Sequence, residues 1–195
     1  MPTPPRQRVL DAARALFLDR GFVDTTIGDI AREAGVALKT IYSGYGSKVG
    51  ILTALQDRDV AGDGDAVALL DRDWATELPT LSRAEAVRRT VGQLAVSTER
   101  AAPVLAVVAS AASDPAVGEL LERLHAQRVE TCRELARRID ADRRDELADL
   151  LYALLGVETH QLLVVRRGWS RAAWERFAEQ SITTLLDDDA DRLRS

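Results

Sequence analysis

The sequence predicts an all-α protein with two domains, residues 1–61 and residues 62–195. Apolar residues recur at helical spacing along the whole chain, and no period-2 alternation survives beyond a few residues. The 195 residues are 46% apolar and 29% charged, a balance typical of folded globular proteins. This composition excludes wholesale disorder and leaves enough apolar surface for a sizeable core.

Glycines and capping residues divide the first domain into four short helices. The first carries Val9–Phe17 and stops at Gly21, and the second opens with the capping box Thr26–Asp29 and stops at Gly35. The third runs over 37–43 and is broken by Gly44 and Gly46, and Ser47 caps the fourth. Ahead of them, Arg6 and Arg8 lie on a proline-rich arm of a kind that can enter a minor groove but is more often disordered.

The second domain is expected to begin after a flexible acidic patch at Gly62–Asp65. A second capping box, Ser82–Glu85, then opens a series of longer helices. Their expected ranges are 83–100, 102–112, 115–139, 143–167 and 171–186, with Asp114 and Ser170 as N-terminal caps.

The last two predicted helices differ in how their apolar residues are distributed. The final helix carries a single stripe, whereas apolar residues between Leu147 and Val165 cover most of the helix circumference. Such a helix is buried on more than one side, either at the centre of a monomer or between the core and a second subunit. We favour the second subunit because few helices are available to cover it. The expected dimer interface consists of Leu151, Leu155, Leu162, Trp174, Phe177 and Ile182.

Charge and cysteine content indicate the setting in which the protein works. Residues 1–50 hold seven basic and five acidic side chains, although the whole chain has a net charge of −5. A basic end on an acidic body suggests an anionic partner, although so small an excess is weak evidence by itself. One cysteine, no signal peptide and no apolar run long enough for a bilayer favour a cytoplasmic protein without a membrane partner.

Residues 27–46 are expected to form two short helices that pack as a helix-turn-helix. Ala31 is small enough for the third predicted helix to cross close to the second, and Gly35 can adopt the left-handed conformation of the turn between them. The exposed surface of the third predicted helix combines a cation, hydroxyls and apolar groups, which suits binding in a major groove. Lys48 follows at the start of the fourth helix, where its ammonium group can meet a phosphate.

The stretch from Val9 to Leu55 resembles the N-terminal DNA-binding domain of the TetR family of transcriptional regulators. The matching residues are Phe22, Thr25–Thr26, Ile30–Ala31, Ala34–Val36, Thr40–Tyr42, Tyr45 and Ser47–Lys48. The resemblance implies a homodimer with two DNA-binding heads and two helical bodies for ligand binding and dimerisation. The DNA-contacting positions that it implies are Thr26, Gly28, Leu38, Lys39, Thr40, Tyr42 and Lys48.

Three residues depart from the family pattern. Gly44 stands where Tyr or His is common, so we expect one phosphate contact to be missing and the third helix to end early. Ala37 replaces the usual capping Ser or Thr, at a cost of about 1 kcal/mol. Gly50 occupies a position where a helix-favouring residue is more common.

The resemblance also implies an effector pocket in the body, although it does not identify the lining. Small side chains between 102 and 112 leave room for a cavity, with His125 or Glu158 as polar anchors. For each candidate, ordinary packing is the more common explanation. The candidates are Trp74, Leu94, Val104, Val107, Val108, Leu121, Leu124, His125, Tyr152, Glu158 and Trp169.

The expected function is therefore a ligand-responsive repressor that binds a palindromic operator as a dimer and is released by an apolar or amphipathic small molecule. The alternative is a helical homodimer that senses a ligand or binds a protein without sequence-specific DNA binding. No catalytic motif is found, so we expect no enzyme and no cofactor. A metal site is not expected, because only His125, Cys132 and His160 offer nitrogen or sulfur ligands.

Overall fold

The computed structural model describes residues 4–62 and 69–187, and this part of the chain is helical without strands, which confirms the all-α prediction. The α-helices are α1 (Pro5–Arg20), α2 (Ile27–Ala34), α3 (Leu38–Tyr45), α4 (Lys48–Ala61), α5 (Asp73–Thr76), α6 (Arg83–Ser110), α7 (Pro115–Ile139), α8 (Arg144–Leu154), α9 (Val157–His160) and α10 (Arg171–Asp187). Single 3₁₀ turns lie at Leu69–Asp71 and Leu78–Thr80, and a π-helical segment spans Gln161–Arg166.

The ends of the N-terminal helices follow the predicted capping residues. The Thr26 hydroxyl accepts a hydrogen bond from the Asp29 backbone N–H (3.1 Å), and the Asp29 carboxylate accepts one from the Thr26 backbone N–H (3.1 Å). Hydrogen bonds from Thr26 and Arg32 lower the pKa of Asp29 to about 2, so this capping box is charged at neutral pH. Gly35 ends α2 in the left-handed conformation, with φ of 62°.

Two expectations about this region were wrong. Helix α1 already begins at Pro5, so Arg6 and Arg8 lie in its first turn and not on an extended arm. Helix α3 continues through Gly44 to Tyr45, because the turn to positive φ falls on Gly46, whose N–H donates to the Tyr42 carbonyl (3.0 Å).

The second half of the chain corrects two further helix predictions. Helix α6 is continuous through Pro103, where we expected two separate helices. Proline lacks one backbone N–H and so removes a single helical hydrogen bond, while residues on both sides of Pro103 are buried and hold the helix in place. The helix expected over 143–167 is interrupted at Gly156, whose ψ of 159° is extended. Helices α7 and α10 keep their predicted bounds to within one residue.

The described residues divide into two compact units. The first combines residues 4–62 with residues 101–124, and the second comprises residues 69–100 and 125–187. Val104, Val108 and Leu120 belong to the same buried cluster as Phe17 and Ile41 of the N-terminal helices. Helices α6 and α7 therefore each contribute residues to both units.

One segment of the described residues, Arg144–Arg166, is long and apolar enough to cross a membrane by length and composition alone. It is only 28% buried in its most apolar window. The segment is not one continuous α-helix. It contains α8, the extended residue Gly156, α9 and the π-helical segment.

Candidate nucleic-acid interface and ligand cluster

Helices α2 and α3 form a helix-turn-helix whose inner residues hold it against α1. Ile30 and Ile41 are fully buried, and Ala31 is buried between them in sequence, as its small size predicts. With Gly35 in the left-handed conformation, the chain reverses between the two helices within three residues. The two helices are thereby fixed by packing, while their outer faces remain free.

The outer face of α3 is unusually apolar for an exposed surface. Leu38 is 49% exposed and Tyr42 is 54% exposed, although residues of these types are usually at least partly buried. Lys39 and Thr40 are exposed beside them, and Thr26 and Gly28 are exposed at the start of α2. The structure thus brings six of the seven predicted DNA-contacting residues to the surface of one helix-turn-helix.

Lys48, the seventh residue, is held by the protein itself. Its ammonium donates to the backbone carbonyls of Phe22 (2.6 Å) and Thr25 (2.9 Å), and more distantly to Val23 (3.4 Å). It also lies 4.1 Å from the centre of the Phe22 ring. Burial lowers the pKa of Lys48. In this structure Lys48 therefore fixes the turn between α1 and α2, which holds the N-terminus of α2 in place.

Apart from Lys48, the basic side chains of residues 1–50 fall into two groups. Three arginines form ion pairs with carboxylates: Arg14 with Asp59, Arg20 with Asp19, and Arg32 with Asp29. Within residues 4–62 and 69–187, by contrast, no carboxylate pairs with Arg6, Arg8 or Lys39. The unit that carries the exposed α3 face therefore holds three cations without a carboxylate partner in the described part of the chain.

Gly50 has a structural role that the sequence alone did not reveal. A Cβ atom at this position would lie 2.0 Å from the Tyr45 carbonyl oxygen, closer than any real contact. The absence of a side chain lets the first turn of α4 approach the last residue of α3. The apparent departure from the family pattern is therefore required by this particular turn.

Three predicted ligand-binding residues meet in the second unit around Arg128, which sequence reasoning missed. The His125 Nδ1 atom lies 3.2 Å from the Tyr152 hydroxyl, and the Arg128 guanidinium lies over the Tyr152 ring, 4.4 Å from its centre. Arg128 also donates to the Tyr152 carbonyl and lies 3.5 Å from the Glu158 carboxylate. A side chain at Gly156 would collide with this guanidinium, since its Cβ would lie 2.6 Å from Arg128 Nη2.

The other predicted ligand-binding residues do not join this cluster. Five of them belong to the first unit, where they pack with its apolar core: Val104, Val107, Val108, Leu121 and Leu124. Trp74 and Leu94 pack on the core of the second unit. Trp169 makes an edge-on ring contact with Phe177 (5.8 Å between centres) beside an open groove. For most of these residues, packing accounts for their presence.

The residues of the predicted dimer interface differ in burial. Four of them pack inside the single chain: Leu151, Leu155, Trp174 and Ile182. Trp174 is fully buried and donates its indole N–H to the Leu154 carbonyl (2.8 Å). These residues form the core stripe that the helical pattern shows, but the stripe faces inward. Leu162 and Phe177 remain at the surface, at 55% and 38% exposure.

A buried helix-turn-helix scaffold with an exposed, partly apolar and basic second helix defines the class of helix-turn-helix DNA-binding proteins. Residues 9–55 match the family model for the bacterial regulatory proteins of the tetR family. Over these residues the chain is similar to the DNA-binding domain of that family, and the match extends over about a quarter of its length.

Individual curated relatives are similar to part of the chain. The chain is 46% identical over 46 residues to the HTH-type transcriptional regulator AlkX of Mycobacterium tuberculosis. This matched stretch covers 24% of this chain and 22% of AlkX. The chain spans less than half the length of the curated relatives that it matches.

Two solved structures are similar over most of their length. One is a transcriptional regulator from Saccharomonospora viridis in complex with choline, with 24% identity, a TM-score of 0.60, and 94% of this chain and 96% of that chain covered. The other is NalD, the secondary repressor of the MexAB-OprM multidrug efflux pump in Pseudomonas aeruginosa, with 20% identity, a TM-score of 0.55, and coverage of 92% and 95%. At these identities, both show the fold alone.

Proposed function

We propose that the protein is a ligand-responsive repressor that binds a palindromic DNA operator as a homodimer in the cytoplasm. The observation that carries the proposal is the outer face of α3, where Leu38 and Tyr42 are exposed beside Lys39 while Ile41 anchors the helix from within. In this proposal α3 enters the major groove, with Lys39 and Thr40 reading base edges and Tyr42 contacting the backbone.

The start of α2 supplies the second set of contacts. Thr26 and Gly28 are exposed there, and the charged capping box keeps the first turn of α2 ordered. We assign Lys48 an indirect part, because its ammonium already donates to the carbonyls between α1 and α2. Lys48 would hold the N-terminus of α2 in the position from which Thr26 contacts a phosphate.

A second copy of the chain is the proposed partner for the apolar surface of the second unit. Leu162, Val165 and Phe177 are exposed there, in and after a segment that is only 28% buried in its most apolar window. Apolar patches of this kind mark interaction sites in proteins that stay in solution. A dimer would also place two copies of α3 on one duplex, which favours a palindrome with half-sites about 34–36 Å apart.

The proposed effector is an apolar or amphipathic small molecule, and the cluster of His125, Arg128, Tyr152 and Glu158 is its proposed polar anchor. The effector would release DNA only if it binds the DNA-incompetent state more tightly than the DNA-bound state. The similarity to NalD supports repression, and the similarity to a regulator crystallised with choline supports small-molecule binding.

The decisive experiment is selection of genomic fragments by the purified full chain at 50 and 200 mM salt, followed by sequencing. We expect one enriched palindrome whose binding weakens steeply with salt, because each phosphate contact releases counterions. Lys39→Ala and Tyr42→Ala should abolish this specific binding without unfolding the protein. Leu18→Ala, which shortens a comparably exposed side chain on α1, is the matched control and should bind as the wild type does.

Two results would contradict the proposal. Absence of enrichment at low salt would favour a ligand-sensing or protein-binding dimer that does not recognise DNA. Wild-type affinity of both α3 variants for a recovered operator would exclude α3 as the reading helix. For the dimer, Phe177→Glu should convert the protein to a monomer in analytical ultracentrifugation, and an unchanged mass would exclude this surface.

A further inference from the structure

The last residue of α3 holds the first turn of α1. The Tyr45 hydroxyl donates a hydrogen bond to the Arg6 backbone carbonyl (3.0 Å), across 39 positions of sequence. The guanidinium carbon of Arg6 lies 5.9 Å from the centre of the Tyr45 ring, within the range of a cation–π contact. Both the backbone and the side chain of Arg6 are therefore placed by one tyrosine.

This contact lies on the face of α3 that is proposed to meet DNA. Leu38, Tyr42 and Tyr45 are spaced by four and three residues, so their side chains share one face of the helix. Leu38 and Tyr42 are the two exposed large side chains of that face. Arg6 consequently adds a cation at the C-terminal end of the same surface.

Arg6 is also chemically available. Among the described residues it has no carboxylate partner, whereas Arg14 of the same helix pairs with Asp59 at 3.3 Å. A guanidinium group that is already positioned loses less conformational freedom when it binds, and its planar donors match the oxygens of a phosphate.

We infer that Arg6 contacts the phosphate backbone of bound DNA, and that Tyr45 is the residue that positions it. The inference rests on the proposed function, because it adds a contact outside the helix-turn-helix to the same DNA surface. A phosphate contact carries no sequence information, so its loss should weaken binding to every duplex to a similar extent.

The expected effect follows from counterion release. Loss of one phosphate contact lowers the slope of log K against log salt by about 0.9 for each DNA-binding head. At 0.15 M salt the same loss corresponds to about a fivefold weaker affinity for each head. Variants that only destabilise the fold do not change this slope when the protein remains folded.

The test measures the affinity of the full chain for a fluorescein-labelled 30-base-pair duplex of random sequence between 50 and 200 mM salt. The variants are Arg6→Ala, Tyr45→Phe, the double variant, and Arg8→Ala as the matched control. Arg8 lies in the same turn of α1 and also lacks a carboxylate partner among the described residues, but the hydrogen bond and the cation–π contact of Tyr45 are made with Arg6. Circular dichroism checks that each variant is folded.

We expect Arg6→Ala to lower the slope by about 0.9 per head and Arg8→Ala to change it less. Tyr45→Phe should weaken binding in the wild-type background and have no further effect beside Arg6→Ala. An unchanged slope in Arg6→Ala, an equal loss in Arg8→Ala, or an independent effect of Tyr45→Phe would overturn the inference. Absence of salt-dependent binding by the wild type would instead contradict the proposed function itself.

Discussion

Replacing Gly50 with alanine is expected to separate α3 from α4. Gly50 is the third residue of α4, and its missing side chain makes room for the Tyr45 carbonyl oxygen. An added Cβ would lie 2.0 Å from that oxygen, whereas ordinary contact begins at 3.4 Å. The added Cβ and the Tyr45 carbonyl oxygen must therefore move apart by roughly 1.4 Å, because atoms repel strongly at distances shorter than van der Waals contact. Because Tyr45 ends α3, the displacement also moves the helix proposed to read DNA.

Two opposing terms set the size of this effect. Forcing an extra carbon into a closed contact costs about 1–3 kcal/mol, while alanine in place of glycine favours the helix by about 1 kcal/mol. The net result is a loss of up to about 2 kcal/mol in the free energy of unfolding. For a chain of this length, a loss of about 2 kcal/mol corresponds to a fall in melting temperature on the order of 4–8 °C.

Calorimetric melting of matched glycine variants provides the assay. Gly92→Ala in the interior of α6 is the control, because an added Cβ there meets nothing within 4 Å. It should raise stability by up to about 1 kcal/mol. If Gly50→Ala were as stable as Gly92→Ala and bound DNA like the wild type, the contact with Tyr45 would not constrain the turn, and the reasoning would be refuted.

Three further predictions concern the caps and the buried polar groups. Thr26→Ala should lower the free energy of unfolding by about 1 kcal/mol in urea titration, whereas Thr26→Ser should keep the capping box; equal losses would contradict a role for the hydroxyl. Burial raises the pKa of Cys132 to about 11, so a thiol reagent should label it only when the protein unfolds, and rapid labelling of the native protein would disprove its burial. Burial lowers the pKa of His160, and neither of its ring nitrogens has a hydrogen-bond partner among the described residues. The unfolded chain therefore binds a proton at this histidine more readily than the folded chain does. The free energy of unfolding should consequently fall as the pH drops below 6.5. His160→Leu should reduce the loss of melting temperature between pH 7.5 and 5.5 more than His125→Gln does, and an equal reduction would exclude His160 as the cause.

Features set by neighbours in sequence could be predicted from the sequence. The Thr26–Asp29 capping box, the left-handed Gly35 and the Asp114 cap of α7 all depend on groups within three or four residues. The exposure of Tyr42 also followed from the sequence, because Ile41 beside it had to face the core. Local backbone geometry and the periodicity of the helix are enough to predict these features.

Features set by distant contacts could not be predicted. Lys48 was predicted to bind a phosphate from its place at the start of α4, and the carbonyls that it binds in the structure lie 23–26 residues away in sequence. Trp174 was assigned to an interface from its place in an apolar stripe, although such a stripe is the same whether it faces a second subunit or the protein's own core. Arg128 was overlooked because its partners, Tyr152 and Glu158, lie 24 and 30 positions further along the chain.

The sharing of α6 and α7 between the two units bears on how this protein can be cut or recombined. Residues 101–124 supply Val104, Val108 and Leu120 to the buried cluster of the N-terminal helices. A fragment ending near residue 62 would lose that part of its core, so it is a poor choice for isolating the DNA-binding head. A chimaera that transplants this head to a different body must carry two separate stretches of the gene, and an ancestral exchange of heads would have faced the same requirement.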